Sequence, residues 1–236
     1  MNAWPSLQTM INNGWILRFA EGCTRRSNSI NPIYSSDIDI EDHIRECEEI
    51  YTRQNLTVIF KLTEACKPHD LDSYLDKKGY RCEAHTSVQL LELNTVEGNI
   101  NEMTEISDKL EYDWENRFYY MNKTKIDHQS THGKIIRNII PLKCFAKIRN
   151  NDNEVIACGL GVLEGEYLGL FDIVTDEKHR RKSYGKILVE NMIIWGKMNG
   201  AKTAYLQVMK NNEPALRLYS KLGFKEEYSY WYRVKQ

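Results

Sequence analysis

Phe171-Asp172-Ile173-Val174-Thr175-Asp176-Glu177-Lys178-His179-Arg180-Arg181-Lys182-Ser183-Tyr184-Gly185-Lys186 reads as a strand ending at Val174, a short polar connection, and a basic segment that opens a helix reaching Met198. A helix start exposes backbone N–H groups with no partner inside the helix, and the helix dipole adds positive potential there. A free-standing helix gains from acidic residues in its first turn, yet here Arg180, Arg181, Lys182 and Lys186 crowd it. Four bases oppose the helix unless an anion is supplied from outside, and a helix N-terminus is a ready site for one. Ser183 and Gly185 carry little or no side chain, so such an anion can come close to the backbone. A solvated basic turn is the plain alternative.

Downstream, Thr203 to Val208 reads as a strand, followed by Asn211-Asn212-Glu213-Pro214 and a helix that carries Tyr219 and stops at Gly223. Asn212 suits a helix N-cap and Pro214 a first turn. Capping explains Asn212, and a core aromatic explains Tyr219, without any function. Upstream, Leu168 to Val174 is a strand after a turn at Glu164-Gly165-Glu166, and Cys144–Ile148 and Val155–Leu160 flank the hairpin turn Asn150 to Asn153. Ile106, Leu110, Trp114 and Phe118 recur every four residues and predict a helix over Met103 to Tyr120. A weaker helical pattern covers Ile126 to Ile140.

The polar stretch Asn94 to Asn101, with Gly98, separates residues 1–93 from 94–236 as two predicted domains. In the first, Gly14 to Ala20 reads as a strand and Cys23 to Ser36 as irregular. A helix capped by Asp39 or Asp42 follows, with Ile40, Ile44, Cys47, Ile50 and Tyr51 on one face. Next come a strand Thr57 to Leu62, a helix Leu71 to Lys78 stopped by Gly79, and a strand Thr86 to Leu93. Helix, strand, helix-Gly-aromatic, strand occurs again at the end of the chain, where the last strand is Tyr228 to Val234. Leu75 to Tyr80 (L-D-K-K-G-Y) thus lies opposite Tyr219 to Phe224 (Y-S-K-L-G-F).

Composition narrows the class. The chain has 236 residues, 42% of them apolar, enough for a packed core, and a formal charge of −1. No basic excess points to nucleic acid, and the neutrality favours neither a polyanionic nor a strongly cationic substrate. No apolar run reaches the ~20 residues of a membrane helix. Met1 to Ser6 lacks a basic start and apolar core, so a cytoplasmic protein is expected. Six scattered cysteines without a C-x-x-C pair read as reduced thiols. His128-x-x-x-His132 places two imidazoles on one helical face, but without a third ligand it reads as a solvated pair, and no metal is expected.

Arg180-x-x-Ser183-x-Gly185, then Asn212-Glu213-Pro214 and Tyr219-Ser220-Lys221-Leu222-Gly223-Phe224, resemble the signature of the Gcn5-related N-acetyltransferase superfamily over residues 100 to 236. That signature is a strand followed by R/Q-x-x-G-x-G/A at a helix start, then a strand, an Asn, and a helix carrying Tyr near L-G-F. The resemblance implies an α/β (α+β) acyl-CoA N-acyltransferase fold with a mixed, mostly antiparallel sheet flanked by helices. It implies acetyl-CoA as co-substrate, with Ile173, Val174 and Thr175 along the pantetheine and the pyrophosphate on Arg181, Lys182, Ser183, Tyr184, Gly185 and Lys186. Arg180 adds charge and Asn212 lies near the pantetheine. Tyr219 falls where the family often has the acid that protonates the departing thiolate. The first Gly of the signature is Ser183 here, which is expected to tolerate a helical backbone and still offer its N–H.

The implied acceptor is an amine on a small molecule or a protein, attacked directly, in a monomer or homodimer. Asp172, Glu164 and Glu166 are candidate bases. The first half, in tandem with the second, has Leu75 opposite Tyr219 and an acidic helix start near Asp42, so it is expected not to bind CoA. It would instead close one wall of the acceptor cleft, with Trp15, Arg18, Arg25, Arg26 and Asn28 as facing or structural residues. A non-catalytic acyl-CoA sensor is the competing reading.

Overall fold

A computed structural model describes residues 1–235. The first half holds β1 (Gln8–Asn12), β2 (Trp15–Phe19), β3 (Ile30–Pro32), α1 (Ile40–Arg53), β4 (Val58–Thr63), α2 (Leu71–Lys77) and β5 (Arg81–Glu92). The second holds β6 (Thr104–Ser107), α3 (Tyr112–Asn122), α4 (Ile126–Arg137), β7 (Leu142–Arg149), β8 (Val155–Glu164) and β9 (Tyr167–Thr175), then α5 (Tyr184–Met198), β10 (Thr203–Met209), α6 (Glu213–Lys221) and β11 (Lys225–Lys235).

All strands join one 11-stranded sheet in the order β1-β2-β3-β4-β11-β5-β10-β9-β8-β7-β6. Pairing is antiparallel except for β9 with β10 and β3 with β4. The expected mixed, mostly antiparallel sheet flanked by helices is therefore present. The order also interleaves strands from the two halves of the chain. β5, from the first half, lies between β10 and β11, with register from Thr203↔Glu92 to Met209↔Thr86 on one side. β11, the last strand, lies between β4 and β5.

Strand alternation sends side chains to opposite faces, and helices cover both. In the second half α5 and α6 bury Leu188, Met192 and Tyr219 with Leu168 and Leu206 on one face. The other face carries α3 and α4, with Trp114, Phe118 and Ile135 against Phe145 and Leu160. α5 lies so near the sheet that a Cβ on Gly196 would stand 2.5 Å from Leu168 Cδ2. In the first half α1 and α2 pack Ile44, Tyr51, Leu71 and Leu75 over Trp15, Leu17 and Phe60. Asp39 caps α1, accepting the Glu41 N–H at 2.8 Å.

One expectation fails, and one strand is new. The helix predicted over Met103 to Tyr120 begins only at Tyr112, and Thr104–Ser107 is a strand paired with β7 from Thr104↔Ile148 to Ser107↔Phe145. Ile106 fits the four-residue step by coincidence, because pairing with the otherwise open edge of β7 recruits it to the sheet. The strand β1 was not foreseen. Its turn to β2 is Asn13-Gly14, both at positive φ (44 and 84), the geometry that two-residue hairpins favour.

Arg233 on β11 fastens the last strand to the first half. Its Nε and Nη2 donate to the two oxygens of Asp72 at 2.8 Å each, and its Nη1 donates to the Tyr80 carbonyl and to Asp76. The guanidinium beside Asp72 holds that carboxyl below its usual range. A depressed carboxyl stabilises the fold above its unfolded pKa of ~3.9, and the contribution fades as pH falls through the lower folded value. Arg233→Ala is expected to cost about 2–3 kcal/mol in urea unfolding at pH 7, with the loss shrinking at acid pH. This interleaving predicts that residues 1–97 and 98–236, expressed separately, each show unpaired strand edges and aggregate or lack dispersed amide spectra. Two well-folded, soluble fragments would contradict it.

Candidate active site

The site begins with a one-residue mismatch between β8 and β9. Their register passes from Cys158↔Val174 to Leu160↔Phe171, so Asp172 and Ile173 together face Gly159. The bulge places Asp172 at φ 50. β9 meets β10 only from Thr203↔Tyr167 to Leu206↔Leu170. Beyond that, β9 stays with β8 as far as Thr175, and β10 stays with β5 as far as Met209. Two neighbouring strands thus part inside a continuous sheet.

A cleft of 620 Å³ fills the gap. Its walls are Phe171, Asp172 and Ile173 of β9, Gln207, Val208 and Met209 of β10, Asn212, and Ala215 and Tyr219 of α6. α3, α4 and their connection add Phe118, Asn122 to Lys125, His128 and His132, and the first half adds Trp4, Cys23, Thr24 and Arg26.

The basic loop adjoins the cleft without lining it. Gly185 sits where β9 and α6 meet, since a Cβ on it would stand 3.2 Å from Thr175 Oγ1 and 3.8 Å from Leu218 Cδ2. The Ser183 carbonyl accepts from the Ile187 N–H at 3.0 Å, so the N–H groups of Tyr184, Gly185 and Lys186 precede the first helical bond. No side chain caps this end and no acid occupies its first turn. Arg180 donates to the Thr175 carbonyl at 3.2 Å, and Lys186 stands 3.6 Å from Glu190. Among the described residues Arg181 and Lys182 have no ion pair.

Ser183 was expected in a helical backbone; it instead adopts a left-handed one, φ 65 and ψ 0, as does Arg181 at φ 62. A Cβ in that region costs about 1–2 kcal/mol, which glycine avoids. This is why a Gly suits the signature position and a Ser strains it.

Of the other expected residues, Ile173 lines the cleft, Val174 packs toward the α3–α4 core, and Thr175 turns to Gly185. Asn212 caps α6 through Oδ1, accepting the Ala215 N–H at 3.3 Å, and also lines the cleft. Tyr219 is buried against Phe224, and burial pushes its phenol up to about 12.

Asp172 Oδ2 lies 2.9 Å from His132 Nε2. His132 Nδ1 lies 3.4 Å from the Tyr119 oxygen, whose O–H reaches Glu115 Oε1 at 2.9 Å and the Gln129 carbonyl at 2.8 Å. The expectation of a solvated histidine pair is corrected: His132 is 4% exposed and stacks on Phe118 with ring centroids 4.9 Å apart. The helical spacing was right, but that face turns inward, where the carboxylate on the bulge needs a buried partner.

Glu164 and Glu166 stand at the β8–β9 hairpin, away from the parted strands; Glu164 accepts from Asn2 and Glu166 pairs with Lys202. Of the five first-half candidates, only Arg26 lines the cleft. Trp15 is buried under α1, stacked on His43 at 3.8 Å. Arg18 donates to the Trp4 and Arg26 carbonyls, Arg25 pairs with Glu83, and Asn28 accepts the Ala20 and Gly22 N–H groups. Trp4, Thr24, His132 and Gln207 had not been anticipated. Cys23 also lines the cleft, but burial pushes its thiol up to about 11, so it stays protonated and is a poor nucleophile.

Among the described residues no group of three or more His, Cys, Asp or Glu is placed to hold a metal, and no helix is long and apolar enough to cross a membrane. The strain at Ser183 makes a testable order. Ser183→Gly should leave stability unchanged or raise it by up to about 1 kcal/mol, and Ser183→Val should lower it by about 1–2 kcal/mol, in calorimetric melts. The reverse order would refute the left-handed assignment.

A family profile described as "Probable histone acetyltransferase Rv0428c C-terminal" matches residues 1–233. The chain is 29% identical to the uncharacterized N-acetyltransferase YobR of Bacillus subtilis (strain 168) over 239 residues, covering 99% of this chain and 95% of that protein. It is 37% identical over 57 residues to the [ribosomal protein bS18]-alanine N-acetyltransferase of Escherichia coli (strain K12), 24% of this chain and 38% of that one. A GCN5-related N-acetyltransferase from Kribbella flavida superposes with a TM-score of 0.72 at 12% identity, over 98% of this chain and 90% of that structure. With the parted strands, the basic helix start and these matches together, the chain belongs to the family of the probable histone acetyltransferase Rv0428c C-terminal region and has the fold of GCN5-related N-acetyltransferases.

Proposed function

We propose that the protein transfers an acetyl group from acetyl-CoA to an amine by direct attack, at the cleft between β9 and β10. The observation that carries this is the parting of two strands beside a helix start whose N–H groups are unpaired. A thioester-bearing arm fits such a wedge, and its pyrophosphate suits the loop Arg180, Arg181, Lys182, Ser183, Tyr184, Gly185 and Lys186. Edge groups of Ile173, Val174 and Thr175, freed from pairing with β10, would hold the pantetheine, with Asn212 opposite.

In the reaction a neutral amine nitrogen attacks the thioester carbonyl carbon, the C–S bond of the tetrahedral intermediate breaks, and CoA leaves as a thiolate. Asp172, steadied by His132, receives the proton that the nitrogen sheds. Tyr219 presents its O–H to the leaving sulfur. With a phenol near 12 against about 8.5 for a thiol, full proton transfer is uphill. Its role is then a hydrogen bond that strengthens as charge builds on sulfur.

The two halves read as tandem copies, 1–93 and 94–236, that have exchanged closing strands. The first copy keeps a parallel contact between β3 and β4 at Ile30↔Phe60. Its α1 begins with Glu41 and Asp42, and Leu75 stands opposite Tyr219. That copy would reject a pyrophosphate and serves as a wall for the acceptor.

Acetyl-CoA should raise the melting temperature, and mass spectrometry across a panel of small and peptide amines should find acetylated product. Tyr219→Phe is expected to lower kcat about 10²-fold while leaving acetyl-CoA affinity within about twofold. Binding of acetyl-CoA without transfer to any amine would refute the assignment.

A further inference from the structure

Three cations of the first half cluster together, and of them only Arg26 lines the cleft. Arg26 lines the cleft with its guanidinium carbon 4.8 Å from the Trp4 ring centroid and 5.7 Å from that of Phe171. Among the described residues that guanidinium makes no ion pair and no hydrogen bond. Behind it Arg18 is spent on two backbone carbonyls, and the Lys61 ammonium lies over the Tyr230 ring at 4.0 Å. Burial, then the charges of Arg26 and Arg18, push Lys61 down to about 8, and burial foremost pulls Arg18 down to about 10. The only carboxylate lining the cleft is Asp172, which is engaged by His132.

Clustered, partly desolvated cations raise one another's free energy unless an anion joins them. Two exposed arginines of this chain find one: Arg25 pairs with Glu83, and Arg137 with Glu115. Arg26 finds aromatic faces instead, which fix the plane of the guanidinium and leave its N–H fork open for a bidentate oxyanion. We propose that Arg26 is an acceptor-binding residue that recognises an oxyanion, carboxylate or phosphoryl, carried by the same small molecule whose amine is acetylated. Such an acceptor is doubly complementary to the cleft: its ammonium faces Asp172 and its oxyanion faces Arg26. The proposal rests on the transferase assignment above and names the class of its acceptor.

The test uses the full-length protein, acetyl-CoA and matched amines. Alanine, phenylalanine and lysine are compared with their carboxamides, and phosphoethanolamine with ethanolamine. Wild type should acetylate anionic members with kcat/KM at least about tenfold above their neutral counterparts, and the favoured pair tells carboxylate from phosphoryl. Arg26→Gln should erase that preference mainly through KM, Arg26→Lys should restore part of it, and both should keep the wild-type melting temperature and acetyl-CoA affinity. Comparing each variant with wild type on the same amine cancels differences in amine basicity. Retained preference in Arg26→Gln overturns the proposal, as does a fall in acetyl-CoA affinity, or acetyl-CoA binding with no anionic amine acetylated. Failure of the wild type to bind acetyl-CoA would instead sink the transferase assignment itself.

Discussion

Everything at the cleft descends from one extra residue in β9. Because Asp172 and Ile173 share a single partner across the ladder, the strand turns away from β10 just past Leu170. A parallel pair that separates leaves backbone groups unpaired on both edges, and unpaired groups in an interior demand partners. The same bulge aims Asp172 into the gap from a left-handed backbone, a conformation that persists only when its surroundings insist on it. His132 supplies that insistence through a bond whose two ends are both buried. Bulge, gap and dyad are therefore one feature seen at three scales.

The placement of β5 and β11 determines who may furnish the opposite wall. β5 lies directly beside β10, and β11 beside β4, so the first half cannot drift from the cleft without breaking ladders at the centre of the sheet. Trp4 and Arg26 reach the cleft from segments of little regular structure, yet they rest on that fixed frame. Trp4 stacks on Phe171 at 5.5 Å, directly beside the bulge. The first half is thus held at the cleft by the ladders themselves. Its sheet completes the other half, and its loops shape the cleft.

Local signals were legible in the sequence wherever they were sufficient. The caps at Asp39 and Asn212, the stops at Gly79 and Gly223, and the loop before α5 each depend on a few adjacent residues. Asn13-Gly14 is equally local, a two-residue hairpin turn with both residues at positive φ. Ile106 misled because period alone cannot tell a helix from a strand when only four residues are at stake. The placement of β5 and β11 left no local trace, since nothing in either strand's own residues names the partners that flank it. His132 could have been found by asking what a buried Asp172 would need, but Asp172 was not visibly buried until the bulge was seen. At Ser183 the residue type marks a departure from the signature but not the strain, because φ is set by the loop and not by the residue.

Net charge illustrates the same limit in electrostatics. A total of −1 counts every exposed pair that cancels on the surface, such as Arg217 with Glu213 or Lys210 with Glu226. Such pairs are screened within about 8 Å at physiological salt and say little about a cleft. What a ligand senses is the residue left over after local cancellation, in a place where water is scarce. Here the remainder is positive at the start of α5, at Arg26 and at Lys125, and negative at Asp172. Such a site suits two ligands that each bring negative charge, one to the start of α5 and one to Arg26. A neutral sum over the whole chain conceals that arrangement because the compensating acids lie elsewhere on the fold.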